Sequence, residues 1–211
     1  MNAVLQREKR VEKMLIVGLT GSIATGKSTV AAILRRMNFK VHDSDKAAHQ
    51  LMAPGGHAVE KIISLFGSKV GNMTSGIDRL HLGNLVFSDP IKRNLLEKIM
   101  HPLIYERKQK FIEHNRRHRK KVVFLDVPLL FEVGEDRNCD RVITVWCPAF
   151  LQNVRALQRQ GMTVEKLSSI LNAQLAQLDK CQLSDLAIPS SLGQAETSRR
   201  LKRWLRSENL I

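Results

Sequence analysis

The sequence is poor in cysteine, in aromatic side chains and in acids, and it has no long apolar run. Its three cysteines, Cys139, Cys147 and Cys181, show no C-x-x-C spacing and are odd in number. No disulfide framework or structural zinc is therefore expected, and a reducing, cytoplasmic compartment is the simplest setting. No stretch approaches the roughly 18 uncharged apolar residues of a membrane span, so no membrane partner is expected. Met1 to Lys13 lacks both the apolar core and the small-residue cleavage site of a signal peptide, and reads as a disordered extension with Met14 as an alternative start. One Tyr and two Trp supply little from which to build a stacking platform for single-stranded nucleic acid. Acids are outnumbered, 20 against 34 Lys and Arg, for a net charge of +14. The excess gathers at Arg7 to Lys13, Arg107 to Lys110, Arg116 to Lys121 and Arg199 to Arg206. Such a balance suits a polyanion, either nucleic acid or a small ligand bearing several phosphates, although charge runs are commonly solvated faces. The aromatic scarcity disfavours nucleic acid.

What is present is organised around Gly21-Ser22-Ile23-Ala24-Thr25-Gly26-Lys27-Ser28, which fits the phosphate-binding spacing G-x-x-x-x-G-K-[ST]. Leu15 to Leu19 in front is an apolar run of the kind a buried parallel strand needs. Ser28 and Thr29 behind it open a helix running to Arg36. Phosphates must meet backbone N–H groups closely, and Gly21 and Gly26 allow that approach. The helix start near Lys27 aims its free N–H groups and positive dipole end at the same anion. Lys27 can then reach the β- and γ-phosphates of a nucleotide, with the Ser28 hydroxyl on Mg²⁺.

Asn38 to His42 reads as a second strand ending at Asp43-Ser44-Asp45. In open parallel sheets function collects where strands deliver their carboxyl ends, so these acids are candidates for metal or base chemistry. The structural alternative is a helix cap, with Asp45 capping the segment from Lys46 to Leu51. From Ala47 to about Arg119 the pattern is helical, broken at Pro54-Gly55-Gly56, Gly67 to Gly76 and Asp89-Pro90. Leu80, Leu82, Leu85 and Val86, then Ile91, Leu95, Leu96, Ile99 and Met100, recur at helical spacing and read as the core of a separate lobe. Val122 to Leu125 ending in Asp126 is a strand of Walker-B type, whose carboxylate reaches the Mg²⁺ region. Arg141 to Trp146 is a fourth strand, and Asp185 to Ile188 a short last one before Pro189. Between them Ala149 to Leu178 is helical, interrupted at Gly161-Met162-Thr163. Arg155 and Arg159 stand four apart on one face there, placed to meet phosphate if the segment folds down. A basic helix from Ala195 to Arg206 closes the chain, packed by Leu201, Trp204 and Leu205. These alternations indicate an α/β fold of the P-loop type.

The succession of the P-loop, Asp43-Ser44-Asp45, Asp78-Arg79, His101-Pro102, Asp126-Val127-Pro128-Leu129-Leu130-Phe131-Glu132, Gln152, Arg155, Arg159, Gln174 and Asp185 resembles the dephospho-CoA kinase family from Met14 onward. The resemblance implies a three-layer core with a five-stranded parallel sheet, a helical substrate-binding insertion and a helical lid. On that pattern the core is 14–45, 117–150 and 180–211, the acceptor lobe 46–116 and the lid 151–179. It further implies ATP and Mg²⁺ as cofactors, dephospho-CoA as acceptor, and a monomer or weak homo-oligomer. Residue by residue, it assigns Asp45 as base, with Lys27 and Asp43 beside it in the catalytic group. Gly21 to Thr29, with Arg155 and Arg159 of the lid, hold the nucleotide. Asp43, Arg79, His101, Pro128 and Leu129 face the acceptor, and Ser28 and Asp126 the metal. Two departures stand out. The family commonly has Gly where Ser22 and Ala24 stand, and Asn where the run Ala187-Ile188-Pro189-Ser190 ends. The first makes the loop less permissive, and the second removes an adenine contact by Asn at that place.

Overall fold

A computed structural model describes residues 13–87 and 89–211. The extension proposed for residues 1–13 therefore lies outside the described residues except for Lys13, whose ammonium pairs with Asp140 at 2.8 Å. The chain begins with β1 (Leu15–Thr20), α1 (Lys27–Arg36) and β2 (Lys40–Asp43), then enters an insertion of α2 (Ser44–Met52), α3 (Val59–Phe66), β3 (Gly71–Asn72), β4 (Gly76–Ile77), α4 (Arg79–Phe87) and α5 (Pro90–Arg117). It returns through β5 (Val122–Asp126) and β6 (Arg141–Trp146). Next come α6 (Ala149–Leu157), α7 (Val164–Asn172), α8 (Gln177–Gln182), β7 (Leu186–Pro189) and α9 (Gly193–Ser207).

The main sheet has the order β2-β5-β1-β6-β7, with every pairing parallel. Parallel strands covered on both faces read as unbroken apolar runs, and β5 is buried along its whole length. On one face Ile33 and Leu34 of α1, with Leu201, Trp204 and Leu205 of α9, pack on Leu19, Phe124, Val145 and Ile188. On the other, Ile112 of α5 meets Val123 and Leu125. Each such fully buried aliphatic side chain contributes about 1.5–3 kcal/mol. The insertion has its own core of Leu51, Val59, Ile62, Val70, Leu82 and Met100. α5 belongs to both, since it carries Met100 into that core and Ile112 onto the sheet.

Four expectations are corrected. The second strand begins at Lys40, because Asn38 adopts φ 64° and ends α1 in a Schellman turn, in which the N–H of Phe39 donates to Leu34 and that of Asn38 to Arg35. The insertion is not wholly helical: β3 and β4 form a small antiparallel pair. Asn72 closes it by accepting the N–H groups of Thr74 and Ser75. Leu80 and Ile91 are 77% and 75% exposed and lie outside the core. Leu82, Leu85 and Val86 form the inward stripe of α4, and Leu80, two residues before Leu82, falls on the opposite side. Finally, Asp185 precedes the last strand, where its carboxylate accepts the N–H of Val142, and Pro189 ends that edge strand without interrupting a ladder.

Candidate active site

The loop between β1 and α1 is shaped by close backbone approach. A Cβ on Gly21 would lie 2.4 Å from the carbonyl oxygen of Val145, so no larger residue fits there. Gly26 caps α1 at φ 93°, a conformation open to glycine. Ala24 stands at φ 60°, which costs a residue with a side chain about 1–2 kcal/mol. Its methyl is buried against Ala156 and Leu167. The loop's crown is thus a contact for α6 and α7, and burial there offsets part of the backbone cost.

Neutral amides complete that clamp. The side chain of Gln152 donates to the carbonyl of Ile23 at 2.8 Å, and the N–H of Ile23 donates to Gln174 at 3.1 Å. Gln177 in turn donates to Gln152 at 2.8 Å and accepts the N–H of Cys147 at 3.1 Å. The glutamines fix both polar groups of one loop residue, which holds the neighbouring N–H groups in the direction an anion needs.

Lys27 lies across the strand ends and pairs with the carboxylate of Asp126. Burial pushes the Asp126 carboxyl above its ordinary value, while the Lys27 ammonium pulls the other way. Register between β2 and β5 sets Asp43 directly beside Asp126. The cap of α2 is Asp43, whose carboxylate accepts the N–H of Lys46 at 2.9 Å, and not Asp45. Asp45, relieved of capping, stands exposed in the first turn of the helix. It lines a cleft of about 320 Å³ together with Gly21 to Ser28, Pro128, Arg159 and Gln174.

A second cavity of about 330 Å³ adjoins the first at Gly26, Ser28 and Arg159, and is further lined by Thr29, Arg155 and Ser190. There the Arg155 guanidinium donates to the Ser190 hydroxyl at 2.8 Å. A third, of about 390 Å³, joins Ser44, His101, Pro102, Lys108, Val127 and Glu135. The residues expected on the acceptor side are thus dispersed: Pro128 is in the first cleft and His101 in the third. Arg79 opens α4 on the surface and Leu129 is 39% exposed, and neither lines these three cavities.

Sequence reasoning missed the support behind Pro128. Lys180 is fully buried, with its ammonium 2.7 Å from Glu132 and donating to the carbonyl of Pro128 at 3.2 Å. The hydroxyl of Thr20 donates to that same carbonyl at 3.0 Å, and Glu132 accepts the N–H of Leu175 at 2.8 Å. One ion pair therefore ties the cleft wall to the residue next to Gln174. Lys180→Met should destabilise the fold by about 1–3 kcal/mol, because Glu132 and the Pro128 carbonyl lose a charged donor. Chemical denaturation reads the loss, and adding Glu132→Gln should recover most of it; no loss would show that water compensates Glu132.

Among the described residues, no three His, Cys, Asp or Glu side chains cluster as a metal site. The hydroxyl of Ser28 and carboxylate of Asp126 are hard oxygen donors that fit Mg²⁺, an ion that fills its shell with water and substrate phosphates. Nor, among those residues, is any helix long and apolar enough to cross a membrane.

The dephospho-CoA kinase family model matches residues 15–196. A dephospho-CoA kinase of Rhodospirillum rubrum is 44% identical over 188 residues, 89% of each chain. That of Paramagnetospirillum magneticum is 45% identical over 162 residues, 77% of this chain and 76% of the relative. A solved dephospho-CoA kinase from Campylobacter jejuni superposes with TM-score 0.68 at 29% identity, over 90% of this chain and 95% of that one. Shikimate kinase from Acinetobacter baumannii, at 15% identity and TM-score 0.51 over 95% of this chain and 97% of its own, shares the fold.

Proposed function

This chain belongs to the dephospho-CoA kinase family, and from that premise we propose that it transfers the γ-phosphoryl of ATP to the ribose 3′-hydroxyl of dephospho-CoA, giving CoA and ADP. The observation that carries the reading is the shared cleft in which Asp45 faces the P-loop and Lys27. Phosphoryl transfer asks little covalent chemistry of a protein and much alignment and charge neutralisation. The P-loop N–H groups and Lys27 hold the β- and γ-phosphates. To meet them, Lys27 exchanges its contact with Asp126 for the phosphates. Mg²⁺, where bound by Ser28 and Asp126, supplies further neutralisation of the migrating group. Asp45 orients the 3′-hydroxyl and accepts its proton late in the transfer. Arg155 and Arg159, on the nucleotide side, place positive charge over the phosphates, and the lid contacts exclude water that would otherwise act as acceptor. Asp43, Arg79, His101, Pro128 and Leu129 are the acceptor-side set, with Asp43 acting at least through the helix that bears Asp45. The expected setting is cytoplasmic, without nucleic acid or membrane partners, as a monomer or weak homo-oligomer.

The test is a choice of acceptors. Dephospho-CoA carries a pyrophosphate and pantetheine arm that can bind far from the reacting oxygen and position it. With Mg-ATP it should be phosphorylated with at least 100-fold higher kcat/KM than adenosine, a difference of about 2.7 kcal/mol. The gap should narrow in Arg79→Ala. Equal efficiency on adenosine would instead make the protein a nucleoside kinase.

A further inference from the structure

A cavity of about 560 Å³ adjoins the proposed active site at Asp43 and otherwise shares none of its residues. It opens beside β2, which is the outer strand of the sheet, and is walled by α1, α2 and α5. Arg35, Lys46, Arg107 and Lys110 line it, with the imidazole of His42 and the ring of Phe111. The only carboxylate among its lining residues is that of Asp43, 3.4 Å from the Arg35 guanidinium and already engaged as a helix cap. With Glu106, the partner of Lys110, counted beside Asp43, four cations face two acids and leave an excess of two positive charges around one concavity. Holding like charges together raises the free energy of the unliganded fold, and the cost falls when an anion enters. Those cations are braced: Arg107 donates to Gln50 at 2.8 Å, and Lys110 pairs with Glu106 one helical turn back.

His42 supplies a second, independent sign. It is 9% exposed, and its Nε2 is the one buried side-chain nitrogen or oxygen among the described residues that has no hydrogen-bond partner. Buried polar atoms are ordinarily satisfied, so an orphan in a cavity wall needs an account. The rings of His42 and Phe111 meet with centroids 5.3 Å apart and planes tilted by 41°, giving the cavity an aromatic part next to its cations. Cations around a concavity that also holds two aromatic rings match a molecule with several phosphates and an apolar part.

We propose that this cavity is a second phosphate-binding site, separate from the P-loop cleft, for a polyphosphate-bearing small molecule. Arg107 and Lys110 provide its charge from α5, and Arg35 and Lys46 close it from the other side. Because Arg35 also meets Asp43, which caps the helix carrying Asp45, an occupant would be felt at the active site through one shared side chain. The assignment does not depend on the kinase reading, and its test requires no turnover.

Sodium tripolyphosphate is titrated calorimetrically into the full chain with the P-loop first saturated by a non-hydrolysable ATP analogue. One further binding event is expected, weakening as salt rises. In the double variant Arg107→Ala/Lys110→Ala it should weaken at least 10-fold, while circular dichroism and melting temperature report an intact fold. Arg107→Lys/Lys110→Arg, which keeps both charges, should restore most of the affinity and guards against an unfolded double variant. Adding dephospho-CoA separates two sources of the same chemistry: displacement of tripolyphosphate points to the acceptor's own pyrophosphate, and undisturbed binding to a separate metabolite. No heat at millimolar tripolyphosphate, or an affinity unchanged in the alanine double variant, overturns the proposal.

Discussion

Lys27→Ala is expected to lower kcat by about 10²–10³-fold, the scale of losing one preorganised charge donor at a transition state. Lys27 is the one side-chain cation contributed by the P-loop itself. Its partner in the structure complicates the experiment. Asp126 is 5% exposed, so removing the ammonium leaves a buried carboxylate uncompensated. The single variant should therefore also lose stability, and a loss of activity alone would be ambiguous. Combining Lys27→Ala with Asp126→Asn separates the two effects. The double variant should regain most of the melting temperature and none of the turnover, because a neutral amide needs no counter-charge while the phosphate still lacks one. A folded single variant with unchanged kcat would remove the P-loop lysine from the mechanism.

Asp45→Asn should lower kcat by about 10²–10⁴-fold with little change in KM for ATP, as expected for a lost general base. The fold makes this test cleaner than the sequence could. Had Asp45 been the cap of α2, its replacement would have cost about 0.5–2 kcal/mol and mixed stability with chemistry. The cap is Asp43. Asp45 is exposed in the first helical turn, where an acid contributes about 0.3–1 kcal/mol through the helix dipole. Melting temperature should thus hardly move. Asp43→Ala is the matching control: it should lower stability by about 1 kcal/mol through the lost cap. If Asp45→Asn left kcat intact, the carboxylate would be a surface residue and the base would have to be sought elsewhere in the cleft.

The amino-acid sequence alone determined the elements whose reasons are local. An apolar run, two glycines at fixed spacing and a lysine before hydroxyl residues dictate strand, loop and helix, because backbone access to phosphate and helix initiation depend on adjacent residues. The apolar runs at Val122 to Leu125 and Arg141 to Trp146 were legible as buried strands for the same reason. Boundaries set by one residue's dihedral were not: nothing in composition states that Asn38 turns left-handed, or which of two nearby acids caps a helix. Leu80 and Ile91 show the same limit, since apolar spacing identifies a face and only packing says how far along it burial extends.

Only the tertiary structure decided what the candidate site is made of. Gln152 and Gln174, which only the family resemblance marked, reach Ile23 from segments roughly 130–150 residues distant in sequence, with Gln177 supporting Gln152 from behind, because the sheet order brings the chain after β6 back over β1. Lys180, which nothing in the sequence marks, is fully buried against Glu132. The many surplus cations were countable from the start; that four of them surround one cavity beside the edge strand depends on how α1, α2 and α5 pack around β2. Local chemistry fixes where a phosphate can be held, and three-dimensional packing fixes which distant side chains are brought to it.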